Sequence, residues 1–504
     1  HGRSAQFTYS PQGLLTSSTD TLGISSQFTY GAGDFIRALT TPYGTTTFAY
    51  GDASTDPNLG VTRWLTATDP NGRTSRVEST PLAQGIPLSE SVVPAGMSVN
   101  NIYLYYRNTF VWTPEQLAGG VDYTKATVYH FQHVTTEHVE TGLGQFYSGT
   151  SRIVESMKRP LERRVWYNYK KDVFGPAYEP RTNLVTAIGR VMGDGSTQLT
   201  RLDYNDQGNV ISRIDPAGRS YAYQYAGNGV DLTSVTVNGQ QLMAATYDDR
   251  HNIQTLTGAN GGTSNFSYNA LGLVASATNQ LGQQTGYTYT NDGDLSGIQE
   301  PLNKLTTFTN DAIGRKISAT DSEGYTVQAE FDNADRPVKA TFPDGTTETL
   351  EYNLLDLAAT TDRNGRRTTF QHDASRRLTQ VLDAKGGSTV LGYGAWDKPL
   401  SLSDPGGRVT VFGYDIQGRI SAKQYSAGGS ESYTYLLCCG LPRTITDALG
   451  HSKSLSYNVD NTLKNVSYSS ASTPAVSYTY DSLLPRILTM TDGTGQTTYS
   501  YGAF

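Results

Sequence analysis

This 504-residue sequence has few cysteines, no long hydrophobic segment and no excess of basic residues. The two cysteines are neighbours, Cys438 and Cys439, which excludes a framework of disulfides between distant segments. No apolar run approaches the roughly 18 residues that a membrane-spanning helix needs. The net charge of -7 argues against the concentrated basic surface that binding to duplex nucleic acid requires. We therefore predict no nucleic-acid partner and no membrane span in this segment.

The sequence is instead rich in tyrosine and glycine. It contains 34 Tyr and 52 Gly, while hydrophobic residues make up only 37% of the chain. Tyrosine suits the half-buried surface of a pleated strand, and glycine is common where the chain turns. This composition predicts an all-β fold with many turns, in which much of the apolar burial comes from aromatic rings.

One sequence pattern recurs about every 21 residues through most of the chain. Each copy has an anchor position, usually Tyr, with an aromatic residue two positions before it and Gly or a polar residue four positions after it. In RVTVFGYDIQGRI the anchor is Tyr414, and the aliphatic Ile420 stands six positions later. Apolar residues alternate with period two around each anchor, which predicts one β-hairpin per copy. The principal anchors are Tyr204, Tyr225, Tyr268, Tyr289, Tyr352, Tyr393, Tyr414, Tyr435, Tyr457 and Tyr480.

A second turn follows each anchor by about eleven residues. It begins with Asp and has Gly at its fourth position, often followed by Arg. This spacing is typical of a type I turn that closes a hairpin through a left-handed glycine. We expect the aspartate to cap its own turn and the arginine to lie along the neighbouring strand. The turn residues identified in this way are Asp215, Gly218, Arg219, Asp404, Gly407 and Arg408, with Gly418 and Arg419 in a turn that directly follows an anchor.

The repeats divide the chain into three predicted regions. Residues 1–73 contain the N-terminal hairpins, residues 74–199 lose the period and are predicted to be an irregular, mostly β insertion, and residues 200–504 carry the regular array. In the insertion we expect strands around residues 103–112, 126–133 and 165–169. Both ends of the chain fall near hairpin tips, so we expect a segment truncated at both ends. A sheet of so many strands must coil or close, since twisted open sheets rarely exceed about ten strands.

The repeat unit resembles that of the RHS or YD-repeat family. The resemblance rests on YDIQGRI from Tyr414 onward, on the D-P-x-G-R turn at residues 215–219, and on non-repetitive segments such as VESMKRPLERRVWYNY. It covers essentially the whole chain. It implies tandem hairpins that spiral into a large hollow β-shell, or cocoon, which in bacterial members encloses a C-terminal toxin polypeptide. Family shells also end in a core that releases the toxin, marked by a D-P-x-G-L type motif, which is not found here after Gly495.

The resemblance implies a function. We expect a non-enzymatic shell segment that encapsulates a polypeptide cargo from the same parent chain, such as a toxin, for export or delivery. The implied setting is a bacterial protein that is secreted or carried at the cell surface, and no cofactor is expected. The alternative is an extracellular adhesin or surface protein whose aromatic-rich β-surface binds a glycan or another protein, because tyrosine combines an apolar ring with a polar end.

Two features suggest chemistry but have simpler structural explanations. Gly413 and Gly418 have the spacing of a phosphate loop, yet a Walker loop continues into Gly-Lys-Ser/Thr and a helix, and a strand is predicted here instead. The Asp and Arg of the turns recur in many copies, whereas one catalytic site needs only one set. We therefore predict no catalytic residue among them.

Three further groups of residues are candidate sites. The His cluster could bind zinc, but two of its histidines would point to opposite faces of a strand, so half-buried strand residues are the preferred interpretation. The cysteine pair occupies a turn, where a disulfide between neighbours would be strained, so two reduced thiols are expected. The basic run is interpreted as a solvated face or a set of internal ion-pair partners. The His cluster comprises His130, His133, Glu137, His138 and Glu140, and the basic run comprises Lys158, Arg159, Arg163, Arg164, Lys170 and Lys171.

Overall fold

The computed structural model describes residues 3–53, 62–80, 86–99, 101–102, 104–138, 145–170, 183–395 and 397–502. Within these ranges the chain forms 41 β-strands in one sheet. The helical elements are short. They are α1 at Pro114–Leu117 and two 3-10 helices at Tyr123–Lys125 and Pro301–Asn303. No helix in these ranges has the length and apolarity needed to span a membrane.

The strands are numbered in chain order. β1 to β14 are Gln6–Tyr9, Leu15–Thr19, Ser25–Tyr30, Ile36–Thr41, Gly44–Ala53, Thr62–Thr68, Thr74–Thr80, Asn108–Trp112, Thr127–His138, Gln145–Lys158, Val165–Tyr169, Val185–Val191, Thr197–Tyr204 and Val210–Ile214. β15 to β28 are Ser220–Tyr225, Leu232–Val237, Gln240–Tyr247, Ile253–Gly258, Thr263–Tyr268, Val274–Thr278, Gln284–Tyr289, Leu295–Glu300, Lys304–Asn310, Lys316–Thr320, Thr326–Phe331, Pro337–Thr341, Thr347–Asn353 and Asp356–Thr361. β29 to β41 are Arg367–His372, Leu378–Leu382, Ser388–Tyr393, Pro399–Ser403, Val409–Tyr414, Ile420–Tyr425, Ser430–Tyr435, Pro442–Thr446, Ser452–Tyr457, Leu463–Tyr468, Val476–Tyr480, Ile487–Asp492 and Gly495–Thr498.

The sheet is a single antiparallel ribbon. Each strand pairs with the strand before it and the strand after it, from the β1–β2 pair to the β40–β41 pair. The predicted hairpin repeats are therefore present, and the all-β prediction is confirmed. In the insertion, the strand expected around residues 103–112 is shorter than predicted, because β8 begins at Asn108 and a turn precedes it.

Each regular hairpin has a register shift at its anchor. In the β33–β34 pair the shift falls between Gly413 and Tyr414, and Tyr414 then lies opposite Ile420. The same arrangement places Tyr225 opposite Leu232. A bulge of this kind increases the local twist of the sheet. The aliphatic residue that follows the anchor in sequence is thus its cross-strand partner.

The ribbon has two edges. The anchor edge carries the loops that directly follow the anchors, such as residues 415–419, and the return edge carries the loops at the opposite ends of the strands, such as residues 404–408. Loops of the return edge in the first part of the chain contact loops of the anchor edge in the last part. We call this line of contacts the seam. In chain order it joins Arg3 to Asp335, Thr21 to Asn333, Tyr43 to Leu355, Asn71 to Ser375, Arg73 to Asp397, Gln116 to Ile416, Pro160 to Gln417, Arg163 to Leu437, Arg190 to Cys438, Gln198 to Asn461, Arg219 to Asp460 and Asn238 to Ser482.

The seam has a nearly constant offset. The β2–β3 loop contacts the β25–β26 loop, the β4–β5 loop contacts the β27–β28 loop, and the β14–β15 loop contacts the β37–β38 loop. Each of these pairs is 23 strands apart. Other seam contacts, such as Arg73–Asp397 and Gln198–Asn461, join loops that are 25 strands apart, because each return-edge loop lies between two anchor-edge loops. A ribbon whose edges meet in this way is a spiral, and one turn of this spiral contains about 24 strands.

Most fully buried side chains lie in residues 74–199, which the sequence predicts to be an insertion. A single-layered sheet buries its residues only partly, and most positions of the regular repeats are half-buried. In contrast, Phe110, Trp112, Ala126 and Val128 form a compact core between β8 and β9. Trp166 on β11 is also fully buried. The insertion therefore supplies the conventional hydrophobic core that the repeats lack.

Candidate functional site

The turn aspartates cap their own turns. In the anchor-edge loop 415–419, one carboxylate oxygen of Asp415 accepts hydrogen bonds from the backbone amides of Gln417 and Arg419, at 2.9 and 3.1 Å. The other oxygen accepts from Nε of Arg419 at 2.7 Å. Gly418 has the left-handed φ of 75° that this turn requires. The arginine thus folds back onto its own aspartate.

Turns on the return edge use the same geometry. Asp215 accepts from Nε of Arg219 at 2.6 Å, and Asp404 accepts from Nε of Arg408 at 2.7 Å. Gly218 and Gly407 have φ values of 84° and 76°. In each of these three turns, the acid, the glycine and the arginine therefore stabilise the turn itself.

The anchor tyrosines connect successive hairpins. Their hydroxyl groups donate to a backbone carbonyl at the start of the strand that precedes them in the ribbon, as from Tyr414 to Pro399 at 2.8 Å and from Tyr435 to Ile420 at 2.7 Å. We call this series the tyrosine ladder. Burial is the largest cause of the raised pKa of both tyrosines. Nine of the ten principal anchors donate in this way, namely Tyr204, Tyr225, Tyr268, Tyr289, Tyr393, Tyr414, Tyr435, Tyr457 and Tyr480.

The tenth anchor, Tyr352, is held by an arginine. The guanidinium of Arg336, in the loop after the preceding anchor position, lies 4.1 Å from the centroid of the Tyr352 ring. Arg419 stacks in the same way on Tyr435, at 4.4 Å. Cation–π contacts of this kind contribute about 0.5–1 kcal/mol at exposed sites. The arginine of one turn therefore also stabilises the next hairpin.

Removing one rung of the tyrosine ladder should have a small, measurable effect. The substitution Tyr268→Phe removes the hydroxyl that donates to the Ile253 carbonyl at 2.9 Å. We expect a loss of about 1 kcal/mol in the free energy of unfolding, measured by urea titration. The matched control is Tyr468→Phe, because the Tyr468 ring is 39% exposed and its hydroxyl has no hydrogen bond among the described residues. Equal losses in both variants would contradict the role assigned to the ladder.

The seam contains a buried group of three charges. Arg219 donates to its own Asp215 and, through Nη2, to Asp460 of the following turn of the spiral at 2.7 Å. The side chains of Arg219, Asp215 and Asp460 are 9%, 3% and 8% exposed. Burial alone would raise the pKa of Asp460, but hydrogen bonds from Thr462 and Arg219 outweigh it and the pKa is lowered. The equivalent Arg408 is 80% exposed and pairs only with Asp404 among the described residues.

The His cluster does not form a described metal site. His130 is fully buried, with Nδ1 3.0 Å from Oδ1 of Asn108 and Nε2 3.4 Å from Oε2 of Glu155. Burial is the largest cause of the lowered pKa of His130. The side chains of His133, Glu137 and His138, and all of Glu140, lie outside the described residues. In the described part of the chain, no three metal-binding side chains come together.

The basic run borders a cleft at the seam. Lys158, Arg159, Arg163 and Arg164 line a cavity of about 340 Å³, together with Leu437 from the next turn of the spiral. Arg164 is buried and donates to Glu90 at 2.9 Å, and Arg163 donates to the Val191 carbonyl at 3.3 Å. Lys170 donates to the Tyr204 carbonyl at 3.0 Å, and Lys171 lies outside the described residues. Arg163, Arg164 and Lys170 thus act as internal hydrogen-bond partners.

The cysteine pair lies in the anchor-edge loop after Tyr435. Both thiols are free, Cys438 is buried and Cys439 is half-buried. The carbonyl of Cys438 accepts a hydrogen bond from Arg190 across the seam at 3.4 Å, and the neighbouring Leu437 carbonyl accepts from the amide of Arg163 at 2.7 Å. The pair is therefore part of the seam, a position that the sequence pattern does not indicate.

Comparison with family models extends over most of the chain. A teneurin YD-shell family model matches residues 1–356, and an RHS repeat model matches residues 352–388. The matched residues include the first hairpins, the irregular insertion and much of the regular array.

Two curated proteins are similar over shorter stretches. The chain is 29% identical over 160 residues to double-stranded DNA deaminase toxin A of Burkholderia cenocepacia, and 24% identical over 248 residues to probable deoxyribonuclease RhsB of Dickeya dadantii. The alignments cover 30% and 44% of this chain, but only 9% and 16% of the two relatives. The chain therefore corresponds to a small part of each relative.

A solved structure shares the fold. The Tc holotoxin pore of Photorhabdus luminescens matches 90% of this chain with a TM-score of 0.50 and 12% sequence identity, and the match covers 26% of that chain. At this identity the likeness concerns the fold alone. It agrees with the spiral that the seam defines, and the predicted β-shell fold is confirmed.

Proposed function

The chain belongs to the teneurin YD-shell family, and from this premise we propose that it forms part of a shell that encloses a polypeptide cargo. The observation that carries the proposal is the seam. Hydrogen bonds and ion pairs from Arg3–Asp335 to Asn238–Ser482 join the two edges of the ribbon along its length. They hold successive turns of the sheet together, as enclosure requires.

The size of one turn suits a polypeptide. Neighbouring strands are about 4.8 Å apart, so a turn of about 24 strands measures roughly 115 Å around and roughly 37 Å across if it is circular. Side chains from the wall occupy part of this width. What remains is wider than the interior of a small barrel, which its own side chains can fill. Such a space suits an extended or partly folded chain.

The proposed cargo is a segment of the same parent chain, such as a toxin. The names of the two curated relatives describe a DNA deaminase toxin and a probable deoxyribonuclease. This chain aligns with a small part of each, and we propose that it contributes the shell and not the catalytic activity. The structural use of the turn aspartates and arginines supports a non-enzymatic role. We also propose that the protein acts outside the producing cell or along its route of export.

The adhesin alternative is less well supported. The proteins to which the chain is similar are a shell family, a toxin, a probable nuclease and a toxin complex. Nine of the ten principal anchor tyrosines that suggested a binding surface are engaged in the tyrosine ladder. Their hydroxyl groups are therefore occupied by backbone carbonyls.

Protease protection tests enclosure directly. A segment of casein, which is unfolded and readily cleaved, is appended after Phe504, and its half-life with trypsin is compared with that of free casein mixed with the unfused protein. We expect the fused segment to survive about tenfold longer, because cleavage then requires opening of the wall. Cleavage of the fused and free casein at the same rate would overturn the proposal.

A further inference from the structure

The seam contains one pair of residues whose chemistry the shell does not need. Cys438 and Cys439 are the only cysteines of the chain, and they are adjacent. They lie in the loop between β35 and β36, which is held by hydrogen bonds from the amides of Cys439 and Gly440 to the Leu436 carbonyl, at 3.4 and 2.9 Å. A small turn residue would serve this loop equally well, so the pair of thiols requires another explanation.

The two thiols have different surroundings. Cys438 is 2% exposed, and Cys439 is half-buried. A hydrogen bond from the Cys439 thiol, the backbone amide of Gly193 and the charge of Arg190 together lower the pKa of Cys438 to about 6. The same hydrogen bond is the largest cause of the raised pKa of Cys439. The pair thus places a buried thiol of lowered pKa next to a half-buried thiol.

This loop is coupled to the seam through its backbone. The Leu437 carbonyl accepts from the Arg163 amide, and the Cys438 carbonyl accepts from the Arg190 guanidinium. The Cys438 carbonyl belongs to the peptide bond that joins the two cysteines. Any bond between the two sulfur atoms closes a ring through this peptide and reorients that carbonyl. A change at the thiols would therefore reach the contact with the neighbouring turn of the spiral.

We propose that Cys438 and Cys439 form a redox-modifiable site, in which a low-molecular-weight disulfide oxidises the pair to a bridge between neighbours and thereby loosens the seam at Arg163 and Arg190. This inference rests on the seam and holds whether or not a cargo is enclosed. It does not depend on the proposed function.

The reaction proceeds by two thiol–disulfide exchanges. Cys439 attacks a sulfur of oxidised glutathione while Cys438 takes its proton, which gives a mixed disulfide at Cys439 and releases one glutathione. Cys438 loses that proton again, attacks Sγ of Cys439 and releases the second glutathione. Because Cys438 starts as a thiolate, the protein loses two electrons and one proton. One oxidised glutathione is reduced to two thiols, of which one takes up that proton and the other takes up a proton from the solvent.

The bridge should be reversible. Adjacent Cα atoms are about 3.8 Å apart across a trans peptide, whereas most disulfides join Cα atoms about 4.4–6.8 Å apart. Strained disulfides are more easily reduced and are the ones used for regulation. In the folded protein, the ratio of reduced to oxidised glutathione should therefore determine whether the two cysteines are thiols or a disulfide. A structural disulfide would stay oxidised under the same conditions.

Intact-mass spectrometry of the whole protein under non-reducing conditions tests the chemistry. After incubation with oxidised glutathione, we expect the mass to fall by that of two hydrogen atoms and to return after treatment with reduced glutathione. Cys438→Ser should retain one glutathione at Cys439, because no thiol resolves the mixed disulfide. Cys439→Ser should remain unmodified, because Cys438 is buried. An unchanged wild-type mass, or a wild-type protein that retains glutathione, would overturn the proposal without reference to either variant.

Amide hydrogen exchange tests the effect on the seam. In the oxidised wild-type protein we expect exchange of the Arg163 amide to rise by about fivefold, as for the loss of one hydrogen bond. The peptide that contains Asn238, which contacts Ser482 elsewhere on the seam, should exchange at its original rate. A bridge that forms without faster exchange at Arg163 would overturn the coupling to the seam. Failure of the casein protection test would leave both of these measurements unaffected.

Discussion

Substitution of Arg219 by alanine should destabilise the protein by about 3–5 kcal/mol, the usual cost of removing one partner from a buried ion pair. The substitution leaves Asp215 and Asp460 facing each other at the seam, with side chains 3% and 8% exposed. Two carboxylates that lose their common cation must either remain charged in a poorly solvated site or take up a proton. The measurement is the midpoint of urea unfolding, followed by far-UV circular dichroism.

The control for this variant is Arg408→Ala. Arg408 occupies the equivalent place in the same D-P-x-G-R type of turn and makes the same contact with its own aspartate, at 2.7 Å. Its side chain is 80% exposed, so its ion pair is expected to contribute less than about 1 kcal/mol. The difference between the two losses of stability measures the contribution of the seam contact with Asp460, because both variants lose the same contact within the turn. Equal shifts in midpoint would mean that the seam contributes nothing at this position.

Substitution of Trp112 by alanine should cost about 3–5 kcal/mol, because it leaves a large cavity in the core of the insertion. Trp112 is fully buried, and its Nε1 donates to the Asp122 carbonyl at 2.9 Å. Its ring contacts those of Phe110 and Tyr123, with centroids 5.7 and 5.5 Å away. We expect a lower urea midpoint and earlier proteolytic cleavage within the insertion.

Trp64→Ala is the matched control for the core. It removes the same side chain from β6, where the ring is half-buried and is covered on one side by Arg76 at 4.7 Å. A partly exposed ring has less apolar area to lose, so the expected cost is below about 2 kcal/mol. If both variants lost the same stability, the core of the insertion would not differ from the surface of the sheet.

The hairpin array was predictable because its signal is local. Each repeat contains its own anchor, cross-strand partner and turn glycine, such as Tyr414, Ile420 and Gly418. The same pattern recurs in the other repeats. The 21-residue period therefore predicts the strands, the turns and the alternation of faces. The insertion has no such repetition, which is why the start of β8 was placed several residues too early.

The seam was not predictable for a physical reason. Arg219 and Arg408 have nearly identical sequence surroundings, yet one is buried between two turns of the spiral and the other is exposed. The difference depends on which loops meet at an offset of 23 or 25 strands, and that offset depends on the accumulated twist of the whole ribbon. No local sequence pattern indicates this offset. The position of Cys438 and Cys439 on the seam escaped prediction for the same reason.

The central claim is that the two edges of the ribbon meet at an offset of about 24 strands, and engineered disulfides test it most directly. In a background with Cys438→Ser and Cys439→Ser, the pair Asn71→Cys and Ser375→Cys replaces a seam contact in which Nδ2 of Asn71 lies 2.8 Å from Oγ of Ser375. The control pair is Asn71→Cys with Asn364→Cys, which lies in the return-edge loop between β28 and β29. Mild oxidation should bridge the first pair in most molecules and leave the second pair as free thiols. Failure of the first pair to bridge, or equal bridging of both pairs, would contradict the spiral.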